Sequence, residues 1–165
     1  MSSYTEVIKE AFATARSDVA ILDTIEIGHP SLPTPLFLIR DFEDRVCGLE
    51  GGGTQLFTAA GFSIEMPSKD EKGFQDLSIA VDNTNRIASD FLKSTLDYPN
   101  ESVTVKYRPY LSNDLSTPQM DPPLVLYLSN ARITAEGVVA TATFADIINK
   151  TFPNQLYTKE RFPAL

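Results

Sequence analysis

The period of apolar and polar positions changes along this chain, and the changes divide it into elements. In Leu77 to Leu92, LSIAVDNTNRIASDFL, Leu77, Ile79 and Val81 alternate with Ser78, Ala80 and Asp82. That is the period of a strand buried mainly on one face. The spacing then widens to three and four: Ile87, Ala88, Phe91 and Leu92 fall on one stripe, predicting a short central helix that covers the strand, with Asp82 or Asn83 capping its first turn. A second helix is expected from Ser3 to about Arg16, where Ser3 and Glu6 have capping-box spacing and Tyr4, Val7, Ile8, Ala11, Phe12 and Ala15 form the apolar stripe.

The remaining signals are those of strands. Ala20 to His29 places Ile21, Asp23, Ile25 and Ile27 on one side and Leu22, Thr24 and Glu26 on the other, with the isoleucine side inward. Ser31 to Pro35 breaks the pattern, because proline fixes its own backbone and donates nothing to a ladder; Leu36 to Arg40 resumes it. Asp41 to Gly53 is the least regular stretch. Residues 55–66 read as one strand with a bulge at Gly61, and Pro67 to Gly73 as a charged turn. Ser102 to Leu111 alternates through Val103, Val105 and Tyr107. Leu124 to Ser129 and Ala131 to Phe144 predict a hairpin of long strands, with Gly137 at its tip or in a bulge and Val138, Ala140, Ala142 and Phe144 on the core side. The expected fold is therefore α+β, mainly β: an antiparallel β-sandwich or barrel-like core with an N-terminal helix and one central helix.

Two stretches do not fit a core. Asn113 to Pro123 carries prolines at 118, 122 and 123 and predicts a long arm; loops of this length in compact domains often serve a partner. The tail, Asn149 to Leu165, spaces Phe152, Leu156, Tyr157, Phe162 and Leu165 between two Phe-Pro pairs, so it is extended and apolar and must lie against its own domain or a neighbour. The candidate assembly interface is therefore Asn113, Leu115, Pro118, Met120 and Pro122 of the arm with Phe152, Leu156, Tyr157, Phe162 and Leu165 of the tail.

Length and charge narrow the reading. The 165 residues suit a single domain spanning 1–165, without repeat or linker. Fourteen basic residues against 22 acidic ones give a net charge of -8, the wrong sign for tight binding to a phosphate backbone. No leader or membrane span is read in the N-terminal sequence, so the chain is expected to fold in the cytoplasm.

Candidate chemistry is sparse. Cys47 is the lone cysteine and His29 the lone histidine, so a small Cys-His hydrolase would need those two to meet in space. GxSxG is absent, and no carboxylate pair or metal-ligand spacing stands out. Gly48 to Thr54 has the glycine spacing of a phosphate-cradling loop, yet Thr54 stands where its lysine belongs and Glu50 would repel phosphate; a hairpin tip is the plainer reading. Arg40, Arg86 and Arg108 are expected to pair with carboxylates in the sheet. No catalytic residue, cofactor or metal is expected.

A set of short motifs carries more. Leu22-Asp23-Thr24-Ile25-Glu26 with His29-Pro30, Asp82-Asn83 with Arg86, Tyr107-Arg108 with Tyr110-Leu111 and Asp114, and then Phe152-Pro153, Tyr157-Thr158 and Phe162-Pro163-Ala164-Leu165 together resemble an uncharacterised family of tail proteins of tailed bacteriophages and prophages, encoded among the tail-tip genes. The resemblance runs from about residue 4 to 165. It implies a β-rich, non-enzymatic virion protein: a minor tail or distal-tail-like protein, made in the host bacterial cytoplasm, that forms a ring between tail tube and hub and is needed for tail assembly. Its partners would be itself, in six copies with three as the alternative, and the neighbouring tail-tube and hub proteins, with neither membrane nor tight nucleic-acid binding. A carbohydrate- or receptor-binding β-module of the virion is the alternative, although the chain lacks the tryptophan on which sugars stack best.

Overall fold

The computed structural model describes residues 3–4, 19–65, 77–82, 86–98, 101–134 and 136–143. Among them lie eleven strands and one helix: β1 (Ser3–Tyr4), β2 (Ile21–Gly28), β3 (Leu36–Ile39), β4 (Arg45–Gly48), β5 (Thr54–Ala59), β6 (Phe62–Glu65), β7 (Leu77–Asp82), α1 (Ile87–Thr95), β8 (Thr104–Leu111), β9 (Met120–Asp121), β10 (Leu124–Ile133) and β11 (Gly137–Thr143). The chain is mostly β.

Nine strands form one sheet in the order β4-β5-β3-β2-β8-β10-β11-β7-β6. As hydrogen-bonded, the nine-stranded sheet is open, with β4 and β6 as its edges. Neighbours are antiparallel except β3 and β5, which pair in parallel through Leu38–Thr58 and Ile39–Ala59. β1 and β9 make a separate two-stranded ladder.

The alternation in each strand sorts its side chains between two cores. Ile25 and Ile27 of β2, Leu38 of β3, Ile79 and Val81 of β7, Val105 of β8 and Leu126 of β10 meet in the main core, which α1 covers with Ala88 and Leu92. On the opposite face of β3, Ile39, Cys47, Phe57 and Tyr110 form a smaller core, with Phe57 edge-on to both Phe37 and Tyr110. β2 is therefore buried on both faces: Thr24 and Glu26, on the side away from the isoleucines, are as enclosed as Ile25 and Ile27.

Several expectations are corrected. Residues 54–65 are two strands on opposite flanks of the sheet, not one bulged strand, and Met66 lies outside the described residues. After Ala59 the chain leaves β3, and from Phe62 it pairs with β7. The irregular 41–53 stretch contains β4, which forms a hairpin with β5 across Gly52 and Gly53; both glycines have positive φ, 82° and 88°, which accounts for their presence in the turn. Helix α1 starts at Ile87. Its cap position is Arg86, in the left-handed conformation at φ 56° without a side-chain cap bond, so Asp82 is not the cap, and Asn83 lies outside the described residues. Ile87 is exposed at the margin of the stripe. Ser3 and Tyr4 belong to β1, paired with Asp121 and Met120, so no helix opens at Ser3; the rest of the expected N-terminal helix lies outside the described residues. The β10–β11 hairpin forms with Gly137 at its turn and an irregularity between Leu128 and Asn130, but Ala131 to Ile133, expected in the second strand, extend the first, and Phe144 lies outside the described residues.

Candidate functional site

The proline-bearing arm is built from local bonds and then laid onto its own domain. Asp114 Oδ1 accepts both the N–H and the hydroxyl of Ser116, and these bonds hold its carboxyl below the usual range. The Leu115 carbonyl accepts the Gly48 N–H at 2.8 Å, and the Gln119 N–H donates to the Pro109 carbonyl at 2.8 Å. Leu115 packs against the smaller core and Met120 enters the main one, while Pro118 is buried. Three of the five arm residues expected at an interface thus face inward, because their apolar side chains find partners within the chain. Asn113 and Pro122 are exposed. Phe152, Leu156, Tyr157, Phe162 and Leu165 lie outside the described residues.

The structure reveals a different exposed apolar surface. Val46 and Leu56 are directly paired across β4 and β5 and are 56% and 51% exposed. Strand alternation puts them on the side of the sheet that carries Leu38 and the main core, opposite to Cys47 and Phe57. Farther along that side a cleft of about 240 Å³ opens between the β3–β5 flank and α1, lined by Leu38, Thr58, Ala60, Phe42 and Ile87, with Asp41 and Asp82 at its rim. Phe42 is fully exposed. Asp41 accepts from the Phe42 N–H and from Arg45 Nε, and both bonds lower its pKa; Arg45 also lies 3.6 Å from Glu43, so one cation faces these two carboxylates. Sequence periodicity missed this surface because Phe42, Val46 and Leu56 sit in a stretch that reads as loop or as an ordinary half-buried strand.

The residues with catalytic potential are dispersed. Cys47 is fully buried, and desolvation pushes its thiol up to about 11. It packs with Tyr110, which pairs with Leu22 near one end of β2. His29 follows the other end of β2, roughly 20 Å away at about 3.3 Å per residue. There its Nδ1 accepts the Ser31 N–H at 3.2 Å and lies 3.7 Å from Glu101, beside the ring of Tyr98. The pair required for a Cys-His hydrolase is not assembled. Among the described residues no group of three His, Cys, Asp or Glu side chains could hold a metal.

The glycine-loop carboxylate has a structural use. Glu50 accepts from Arg108 Nε, and Arg108 Nη1 lies 2.8 Å from Glu26, whose other oxygen meets Lys106 Nζ at 3.0 Å. Burial pulls the Arg108 pKa down, but the bonds to Glu50 and Glu26 more than offset this and leave it raised. Arg40 pairs with Asp23 at 2.7 Å, as expected of a sheet arginine. No helix among the described residues is long and apolar enough to cross a membrane.

Residues 7–157 match the family described as a domain of unknown function, DUF1833, and the chain belongs to that family. No curated protein matches it.

Proposed function

We propose that this member of the DUF1833 family is a structural component of a phage tail tip: a distal-tail-like or minor tail protein that forms a ring between tail tube and hub. The motifs that resemble phage tail proteins support the reading. The structural observation that favours it most is the exposed apolar pair Val46 and Leu56 on an edge hairpin, with Phe42 fully exposed in the bend before it. A lone folded domain gains nothing from such a strip, whereas joining copies by unlike patches buries it, and that kind of contact closes into a ring by rotation. We take six copies as the ring number and three as the alternative.

A barrel-like core fits the same role. The two flanks of the open sheet are consecutive in the chain: β5 ends at Ala59 on one flank and β6 begins at Phe62 on the other. The Ala60 N–H donates to Ile39 O, and Gly61 O accepts the Asp82 N–H. Residues 54–65 thereby span from β3 to β7, which would close the sheet around the main core. The net charge of -8 suits a ring whose lumen repels passing DNA; a basic or neutral lumen in the assembled ring would contradict this. In this reading the protein is non-catalytic, is made in the host bacterial cytoplasm and ends in the virion tail, where its neighbours are the tube and hub proteins.

Electron microscopy of the purified chain and of tail particles tests the role. Rings of uniform diameter, seated at the tube–hub junction of the particle, are expected. Tails that assemble normally without the protein, or a monomer that binds a glycan array competably, would contradict it.

A further inference from the structure

We propose that the strip formed by Val46, Leu56, Phe42 and Ile87 is the seat of the chain's own C-terminal segment, residues 149–165. The inference rests on the assembly reading and names the contact through which it would work.

The chemistries match. The strip is apolar and exposed, and it ends in a cleft of about 240 Å³ with Asp41 and Asp82 at the rim and Glu43 exposed nearby. The segment carries Phe152-Pro153 and Phe162-Pro163, each preceded by cations: Lys150 before the first, Lys159 and Arg161 before the second. Glu160 is its single side-chain carboxylate. It is therefore a basic stretch in an acidic chain, and Asp41, Glu43 and Asp82, offset by the single cation of Arg45, leave net opposite charge beside the strip. The N-terminal segment 5–18, the other stretch with an apolar stripe, is not basic: Glu6, Glu10 and Asp18 outnumber Lys9 and Arg16.

The reach is sufficient. β11 ends at Thr143, and six strand spacings separate β11 from β4, roughly 30 Å at about 4.8 Å each. Residues 144–165 extend up to roughly 70 Å, so the Phe-Pro pairs can reach the strip of the same chain or of an adjacent copy. The spacing also favours binding: a proline fixes its own φ and restricts the residue before it, which lowers the ordering cost of docking.

Hydrogen exchange of the full chain, with solution mass measured on the same samples, tests the proposal. The segment 150–165 should be protected, and Leu56→Glu or Phe162→Ala should speed its exchange by about tenfold or more, with residues 19–65 unchanged. Leu56 is half exposed, so its substitution leaves the cores intact. A segment that is unprotected in the unaltered chain, or that ignores Leu56→Glu, overturns the proposal. So does a substitution at Leu56 that releases residues 5–18 instead. The mass separates the two readings. Protection released by Leu56→Glu in a monomer supports the docking and removes the ring. A ring whose tail is unprotected overturns the docking and leaves the ring standing.

Discussion

Gly48 and Ser116 are packed backbone against backbone: a Cβ on residue 48 would collide with the Ser116 carbonyl. Around that contact the Gly48 N–H donates to Leu115 O at 2.8 Å, and its own carbonyl accepts the Tyr110 hydroxyl at 2.6 Å. One glycine thus fastens edge strand β4 to the arm and to the smaller core. Gly48→Ala must push the arm away and is expected to cost about 1–3 kcal/mol, the range for overpacking. Gly51, with no atom within 4 Å of an added Cβ, provides the control; Gly51→Ala should stay within about 0.5 kcal/mol. Urea denaturation of both variants checks the contrast, and equal effects would mean that the arm is not held there.

Arg108 is 3% exposed and faces Glu26 and Glu50, so its charge offsets two carboxylates drawn from distant parts of the chain. Arg108→Met removes that charge and leaves Glu26, itself largely buried, dependent on Lys106 alone. Losing one partner of a buried ion pair typically costs about 3–5 kcal/mol. Adding Glu26→Gln should recover part of the loss, because the stranded charge disappears with it. A loss below about 1 kcal/mol in the single variant, by the scale of exposed pairs, would show that the network is solvated.

Cys47 gives a pH dependence with a definite sign. Burial raises its pKa from 9.0 to about 11, so the folded state favours the protonated thiol more than the unfolded state does. The resulting stabilisation is complete below pH 9 and is lost as pH rises through 11. The fall in stability between these values should be smaller in Cys47→Ala. At pH 8 a thiol reagent should label the folded chain only at the rate of unfolding; fast labelling of folded protein would contradict the burial.

Strand by strand, the sequence was informative wherever a residue's environment depends on its near neighbours. Leu77, Ile79 and Val81 are buried as their alternation implies, and so are Val105 and Tyr107. Relationships set by distant pairing were not legible. Glu50 lies 58 positions from Arg108, and nothing local distinguishes a solvated hairpin-tip glutamate from one that pairs with a buried arginine. The break at Ala60 and Gly61 looks like a bulge in sequence, because both halves keep a strand period, and only the sheet order shows them to be on different flanks. The arm misled for a related reason: its prolines signal irregular backbone, which packs inward at Pro118 and Met120 as readily as outward. The exposed pair Val46 and Leu56 could have been flagged as two apolar residues in register on a short hairpin, but that register depends on the glycine turn.

The most direct test of the central claim is the solution mass, by light scattering, of the full chain and of a version ending at Lys150. A closed ring is expected for the full chain, near six times its 18.2 kDa, and that ring should be lost on truncation. A full chain that stays at the mass of one copy across the accessible concentrations would contradict a ring-forming role, and a ring that survives truncation would place the contact between copies away from the C-terminal segment.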